Sequence, residues 1–382
     1  MVFSKLATTA VGAVAAITLA SAAVAEMPKK TTWTAYGTTS SGYAQSVAIG
    51  NMLNKRFGTN MRVIPGKNDI SRMAPLRDNK ADFCACGIAS YFGQEGVFIF
   101  ADKNWGPQPI RLLMTALGSN GLSMATAKDA NIKTIADFKG KRISWVRGGP
   151  ALNWNVSAYL AFAGLTWDDV QKVEVSGNKA GFDAIINGQS DAMFSTTVSA
   201  NTKKVEASPR GLHWPEMPHN DVEGWKRVMA VAPVYNKVKA TLGSAIDKNN
   251  PLELSNYPYP ILVANVTKGS DEIYSMVKAM VEHYDDYKDA AKGANGWKLS
   301  SQNMTWAIPY HDGAIRYWKE AGTWSSKAQA HNDKLIERQS VIKKAWDGMA
   351  GKGSMSKEDL KAAWMKIRVA ALTNAGFDPV FK

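Results

Sequence analysis

The chain has 382 residues, of which 45% are hydrophobic, and a formal net charge of +13. Single hydrophobic cores rarely grow beyond about 250–300 residues, so a chain of this length is expected to form two domains. The basic residues are scattered and form no arginine-rich or aromatic-interleaved run. The composition therefore argues against nucleic-acid binding and favours long-range attraction of anions.

Residues 1–25 have the pattern of a secretory signal. Lys5 precedes an apolar stretch over 6–20, and a small-x-small sequence follows at 23–25. The apolar stretch is rich in alanine and shorter than the roughly 20 strongly apolar residues that span a bilayer. We therefore expect cleavage after Ala25 and a mature protein in the periplasm, in preference to an N-terminal membrane anchor.

Both cysteines, Cys84 and Cys86, lie in a strand predicted over 81–87. Side chains two residues apart lie on the same face of a strand. Such neighbours are poorly placed for an ordinary disulfide, so we expect two small core residues without a redox or metal role.

Strands and helices alternate along the chain. Strands are predicted at 31–36, 61–64, 81–87, 111–114, 122–125, 142–146, 173–175, 191–194 and 261–266. Helices are predicted at 44–57, at 152–162, at 180–186 and at 271–287, and another follows residues 65–69 and ends at 76. Residues 233–260 are expected to be irregular. This order predicts an α/β fold with parallel sheets, helices on both faces and ligands at the carboxyl ends of the strands.

The pattern restarts near residue 110, which predicts two domains with a ligand cleft between them. We place domain I at 26–120 and 263–324 and domain II at 121–262, with the strand at 261–266 returning to the first domain. Residues 325–382 are predicted to form a C-terminal helical extension, with a helix cap at Ser356.

The sequence carries no recognisable catalytic pattern. It has no Gly-x-Ser-x-Gly elbow, no phosphate-binding Gly-Lys-Ser/Thr loop and no His-Glu-x-x-His motif. His213 and His219 lie near each other but have no obvious third or fourth metal ligand nearby. We therefore predict a protein that is not an enzyme and has no cofactor and no metal.

The loop at 37–43 carries four consecutive hydroxyl residues between glycines, directly before a predicted helix. A helix N-terminus favours carboxylate or phosphate, although an ordinary capping loop has the same composition. Asp69 and Arg72 follow the second strand and would point into the same cleft. Arg72 could hold a carboxylate through a two-pronged hydrogen bond, the alternative being a surface cation at a helix start.

The candidate ligand-binding residues come from both predicted domains, and Arg147 competes with Arg72 as the partner of an anion. They are Thr38, Thr39, Ser40, Tyr43, Asp69, Arg72, Ser90, Arg147, Asn153, Thr196 and Thr197.

Four segments resemble the TAXI-type solute receptors of tripartite ATP-independent periplasmic (TRAP) transporters. Residues 309–317 are similar to the Pro-x-His-x-Gly-Ala-x-x-Tyr segment of that family. Matches in the same order occur at 37–43, 137–143 and 163–170. The sequence departs from the family at 68–72, where many members have Gly-Ser-x-x-Asn, and at 149–152, where they have Gly-Ser-Gly-Thr.

The resemblance implies a two-domain clamp of the periplasmic-binding-protein type (type II-like). It also implies capture of a small organic anion, such as a dicarboxylate, an oxo acid or an acidic amino acid, for uptake by a TRAP membrane subunit driven by an ion gradient. Two alternatives remain: the receptor of an ATP-driven (ABC) importer, and a secreted sensor or enzyme built on the same clamp. Within the strongest match, His311 is expected to pin the following helix in preference to docking the transporter.

Overall fold

The computed structural model describes residues 26–382, so the predicted signal segment lies outside the described residues. Two β-sheets organise the chain. The five-stranded sheet has the order β2-β1-β3-β12-β4, with β1 (Lys30–Tyr36), β2 (Asn60–Gly66), β3 (Phe83–Cys86), β4 (Ile110–Thr115) and β12 (Ile261–Asn265). The seven-stranded sheet contains β5 (Leu122–Ala127), β6 (Arg142–Val146), β7 (Gln171–Val175), β8 (Ala192–Thr196), β9 (Leu212–His213), β10 (Asn236–Ala240) and β11 (Leu252–Asn256). Its order is β10-β11-β5-β8-β6-β7, and β9 pairs with β5.

Helices connect the strands and complete the C-terminus. They are α1 (Ser41–Phe57), α2 (Asp69–Arg77), α3 (Ala89–Glu95), α4 (Pro150–Phe162), α5 (Asn178–Ile186), α6 (Ala200–Glu206), α7 (Val222–Val231), α8 (Ser270–Glu282), α9 (Asp312–Glu320), α10 (Ser326–Asp347) and α11 (Lys357–Asn374). Single 3₁₀ turns occupy Phe98–Phe100, Lys128–Ala130, Ile135–Phe138, Trp167–Asp169, Tyr284–Asp286, Ala294–Trp297 and Leu299–Ser301. Of the helices in residues 26–382, none combines the length and the apolar character required to cross a membrane.

The α/β fold class is confirmed, but the expectation of parallel sheets is only partly right. Strand β1 is parallel to β2 and β3, and β6 is parallel to β7 and β8. Strand β12 is antiparallel to β3 and β4, and β5 is antiparallel to β8. Strand β12 begins beside the end of β3, with Ile261 opposite Cys86. Because it starts from that end, it runs antiparallel to β3.

The stretch 233–260 is not irregular, contrary to the prediction. It contains β10 and β11, which pair antiparallel from Asn236 opposite Asn256 to Ala240 opposite Leu252. The Pro-, Gly- and Asn-rich composition belongs to the connections before, between and after these strands. Short strands whose partner is set by tertiary pairing give a weak local signal.

The cysteines lie in the core as predicted, but the expectation that they do not bridge is wrong. Cys84 and Cys86 are both fully buried in β3 and are joined by a disulfide. Their Cα atoms are 5.1 Å apart, within the usual range for a bridge. The shared face of the strand, which we took only as a sign of common burial, also brings the two sulfurs together.

The C-terminal extension is helical, as predicted, and Ser356 caps α11 by accepting a hydrogen bond from the Asp359 amide at 3.1 Å. Helices α10 and α11 share a small apolar core that includes Ile342, Met349, Leu360, Trp364 and Leu372. Ion pairs also join the extension to the last residue of α3. Glu95 accepts two 2.8 Å hydrogen bonds from Arg338 and a further one from Arg368.

His311 caps α9, in agreement with its predicted role. Its Nδ1 accepts a hydrogen bond from the Gly313 amide at 3.2 Å, and the side chain is buried. Only an unprotonated ring nitrogen can accept this bond. Burial lowers the pKa of His311, and the nearby Asp312 carboxylate raises it by a smaller amount.

The free energy of unfolding should therefore fall as the pH drops from 7 to 5. The unfolded imidazole takes up a proton near its ordinary pKa of about 6.5, whereas the folded one resists until a lower pH. His311→Asn keeps a capping acceptor but does not titrate in this range. Urea unfolding at each pH should show a smaller decrease for the variant than for the wild type; equal decreases would show that His311 does not contribute.

Candidate ligand-binding site

A cavity of about 40 Å³ lies between the two sheets. One wall comes from the ends of β1 and β3 and the starts of α1 and α2, and the opposite wall from β5, β8 and the starts of α4 and α5. The lining residues are Tyr36, Ser40, Ser41, Arg72, Gly87, Ile88, Leu122, Ala151, Leu152, Asn155, Asn178, Phe194, Ser195, Thr196, Ser199, Tyr257 and Tyr259. The site thus lies at strand ends, where ligands of open α/β sheets bind.

Arg72 is held rigidly at the base of this cavity. Its Nη2 donates to Asp69 Oδ1 at 2.8 Å, and its guanidinium lies over the Tyr36 ring, 3.8 Å from the centroid. Tyr36 donates its hydroxyl proton to the same Asp69 oxygen at 2.5 Å. All three side chains are almost completely buried, so the guanidinium is fixed in one orientation.

Two of the nitrogens of Arg72 have no partner. Nε and Nη1 are buried without a hydrogen-bond acceptor, and so is Oγ of the neighbouring lining residue Ser41. Burial disfavours the charged form of Arg72, but Tyr36 and Asp69 outweigh this and raise the pKa of the guanidinium. A permanently charged group with unpaired buried donors is costly unless a ligand supplies acceptors.

The pKa of Tyr36 is raised well above its ordinary value, first by burial, with Asp69 adding to the effect and Arg72 opposing it. The Tyr36 phenol is therefore neutral at physiological pH and serves as a hydrogen-bond donor. It helps to hold Asp69 in place behind Arg72.

Main-chain contacts join the two walls beside the cavity. Asp69 Oδ2 accepts a 2.8 Å hydrogen bond from the Ala151 amide at the start of α4, and the Asp69 amide donates to the Gly148 carbonyl at 3.0 Å. The Asn178 amide donates to the Lys67 carbonyl at 2.9 Å. Gly148 has a φ of +71° and no room for a Cβ, which would lie 2.5 Å from Asn68 Nδ2. The structure therefore shows the two halves closed on each other.

Three helices, α1, α4 and α5, begin at the cavity, at Ser41, Pro150 and Asn178. The partial positive charge of a helix N-terminus adds to the charge of Arg72. The electrostatic environment of the cavity accordingly favours a negatively charged group.

Four of the predicted site residues belong to this arrangement. Ser40, Arg72 and Thr196 line the cavity, and Asp69 lies directly behind Arg72. Ser40 also caps α1, since its Oγ accepts from the Tyr43 amide at 3.2 Å. Thr196 accepts a hydrogen bond from Asn120 at 3.1 Å.

The other predicted residues are not among those that line the cavity. Thr38 and Arg147 are exposed, and Thr39 and Tyr43 are half-buried. At positions 39 and 147 the interdomain contact is made by the carbonyl, which accepts from Ser199 Oγ and from Asn68 Nδ2 respectively.

Three predicted polar side chains are engaged with backbone instead of the cavity. Ser90 donates to the Gly87 carbonyl at 2.6 Å. Asn153 bonds both the amide and the carbonyl of Val146, at 2.9 and 3.0 Å. Thr197 accepts from the Gly121 amide and donates to the Leu242 carbonyl. These contacts satisfy the side chains locally, so they hold loops in shape.

The sequence did not indicate the aromatic part of the wall. Tyr257 and Tyr259 come from the stretch predicted to be irregular, and Asn155 comes from the first turns of α4. Asn155 Nδ2 donates to the Tyr257 hydroxyl oxygen at 2.9 Å and to the Ala151 carbonyl at 2.7 Å. A signal was present in the pair of tyrosines flanking Pro258, but their pairing with α4 depends on long-range strand contacts.

Among the described residues, no group of three or more His, Cys, Asp and Glu side chains could hold a metal ion. The polar groups that face the cavity are hydroxyls, amides and one guanidinium. They can bind and orient a small anion through hydrogen bonds and charge.

Two α/β halves that enclose a cavity at their strand ends define a clamp fold of the periplasmic-binding-protein type. More particularly, the chain belongs to the NMT1-like family, whose model matches residues 34–322. This match includes all the residues that line the cavity and ends before α10.

Several solved structures are distantly similar. An ancestral arginine-binding protein bound to arginine is 15% identical, with 71% of this chain and 99% of that chain covered and a TM-score of 0.43. The periplasmic aliphatic sulphonate binding protein SsuA from Escherichia coli is 13% identical, with 91% and 93% covered and a TM-score of 0.43. The alkanesulfonate-binding protein SsuA from Xanthomonas axonopodis pv. citri, bound to MOPS, is 13% identical, with 83% and 96% covered and a TM-score of 0.40.

Proposed function

We propose that this protein is an exported solute receptor that captures a small organic anion between two domains and delivers it to a membrane transporter. We take the domains to be those proposed from the sequence, 26–120 with 263–324, and 121–262, except that residues 261–262 pair within the five-stranded sheet of the first domain. A ligand that binds only the closed form shifts the population towards it, and a membrane partner can recognise that form.

The observation that carries this proposal is the buried guanidinium of Arg72, with Nε and Nη1 unpaired beside a cavity between the two halves. Nε–H and Nη1–H lie on different edges of the guanidinium, so each can donate a separate charge-assisted hydrogen bond to an anionic oxygen. The neighbouring helix starts and the Ser41 hydroxyl supply further donors. A structural role alone would be expected to leave these donors satisfied by protein groups.

A binding role, not a catalytic one, is supported by the chemistry of the wall. None of the described residues that line the cavity is a His, Cys, Asp, Glu or Lys. The lining tyrosines Tyr36, Tyr257 and Tyr259 have raised pKa values, chiefly because they are buried. The cavity therefore lacks a side chain that could exchange protons readily near neutral pH.

The transporter partner and the location rest on the sequence. We propose a TAXI-type receptor of a TRAP transporter, secreted to the periplasm with cleavage after Ala25. A multi-span permease gene beside this one, without an ATPase gene, would support that partner, whereas an ATPase gene would favour an ABC importer. N-terminal sequencing of the exported protein should return Glu26, and Met1 would contradict the cleavage.

Thermal unfolding in the presence of small organic acids tests the receptor function. The correct anion at 100 times its Kd should stabilise the fold by about 2.7 kcal/mol, which is visible as a raised Tm. Mass spectrometry should recover that anion unchanged after incubation. Conversion of the ligand, or the lack of any shift across the organic acids, would contradict the proposal.

A further inference from the structure

The distribution of charged residues around the cavity restricts which class of anion can bind there. Of the described residues that line it, Arg72 alone is charged. The one carboxylate nearby, Asp69, is fully buried behind Arg72 and does not line the cavity. The cavity therefore offers one cationic side chain, which is itself paired with Asp69.

Both oxygens of Asp69 are already engaged. Oδ1 accepts from the Tyr36 hydroxyl and from Arg72 Nη2, and Oδ2 accepts from the Ala151 amide. A ligand ammonium group would need a carboxylate or several carbonyl oxygens as partners. Asp69 is fully buried, does not line the cavity and already accepts three hydrogen bonds, so it is not placed to receive an ammonium group.

A second carboxylate on the ligand has no cationic partner either. The rest of the lining combines the apolar side chains of Leu122, Leu152 and Phe194 with neutral hydroxyl and amide groups, and none of these residues is cationic. A second carboxylate would lose hydration with only neutral groups as partners, whereas a carboxylate beside Arg72 meets a cation. The lining therefore favours a ligand that carries its charge at one end.

We propose that the site is specific for a monocarboxylate with an uncharged remainder, and that it rejects both amino acids and dicarboxylates. This inference rests on the proposed receptor function and narrows its ligand class. Asp69 acts as a positioning residue that orients Arg72 and ties it to α4. The two contacting segments, 68–72 and 149–152, are also the two that depart from the TAXI pattern.

Calorimetric titration with matched three-carbon compounds tests this proposal. Propionate carries one negative charge and malonate carries two. Alanine carries a carboxylate and an ammonium group, and propionamide carries no charge. A four-carbon series repeats the same set of charges. We expect the monocarboxylates to bind at least about 30-fold more tightly than the other members, since an unpaired buried charge is heavily penalised. Malonate or alanine as the tightest ligand would overturn the proposal and leave the receptor function standing. Lack of binding by every compound would overturn this proposal, whereas the receptor function is overturned only if the wider organic-acid screen also gives no thermal shift.

Thr196 provides a second test in the same site. Thr196→Asp adds a carboxylate to the wall, and Thr196→Asn is its uncharged counterpart of similar shape. Because the added charge would compensate Arg72, propionate should bind at least about 10-fold more weakly to the Asp variant than to the Asn variant. Equal affinities in two variants with the same Tm would show that charge at the wall does not select the ligand.

Discussion

Replacing Arg72 with alanine should weaken binding of the anion by about 30- to 4000-fold. Loss of one member of a buried charged pair costs about 2–5 kcal/mol, and each 1.4 kcal/mol corresponds to about a factor of ten in affinity. Arg72→Lys should restore only part of the affinity, because an ammonium retains the charge but not the fixed, planar set of guanidinium donors. Calorimetric titration with the anion that gives the largest thermal shift measures both effects.

The matched control is Arg147→Ala. Arg147 is exposed, and its contact with Asn68 uses the carbonyl, so this variant should bind within a few-fold of the wild type. Arg72→Ala leaves the buried Asp69 carboxylate without its cation, so the double variant with Asp69→Asn should be titrated as well. Wild-type affinity in a folded Arg72→Ala variant, or a large loss in Arg147→Ala, would contradict the assignment.

Replacing Glu95 with alanine should lower the free energy of unfolding by about 3–5 kcal/mol. Glu95 is fully buried and pairs with Arg338 and Arg368, whose side chains are 7% and 0% exposed. Burial disfavours the charge on Arg338, but the hydrogen bond and charge of Glu95 outweigh this and raise the pKa of its guanidinium. Without the carboxylate, two guanidinium groups remain buried together.

The effect should be concentrated in the C-terminal extension, because Arg338 belongs to α10 and Arg368 to α11. Urea unfolding gives the loss of stability, and limited proteolysis should cut the variant first within residues 326–374. Asp183→Ala is the control, since it removes the exposed pair with Lys179 and should cost about 0–1 kcal/mol. Similar values for the two variants would mean that the Glu95 cluster does not anchor the extension.

Local sequence was sufficient for the parts of the fold that depend on periodicity and capping. The alternation of strands and helices predicted the α/β class, and Ser356 was recognised as a cap from its position before Asp359. Arg72 and Ser40 were found because each lies just after a strand, next to a helix start. These features depend on residues that are close in the chain.

The rest of the site depends on contacts between distant segments. Tyr257 lines the cavity because β11 pairs with β10 and β5, and neither pairing has a strong local pattern. Asn153 and Thr197 were expected to contact ligand because they follow strands, yet each satisfies its side chain on nearby backbone. A polar residue at a strand end has both options, and only the folded geometry decides between them.

The exposure of Arg147, in contrast to the burial of Arg72, also depends on contacts between distant segments. The sequence placed it after a domain II strand and before Gly148 and Gly149, and so made it a competing anion partner. In the structure the turn at Gly148, with its positive φ, brings the main chain of this loop against Asn68 and Asp69. The backbone of the loop then makes the interdomain contact, and the Arg147 side chain is exposed.

A crystal structure of the protein with the anion that gives the largest thermal shift tests the central claim most directly. We predict that the carboxylate lies between the two halves and accepts a hydrogen bond from Nε or Nη1 of Arg72, at about 2.7–2.9 Å. The contact between Asp69 and the Ala151 amide should persist. An anion bound elsewhere, with both Arg72 nitrogens still unpaired, would contradict the account.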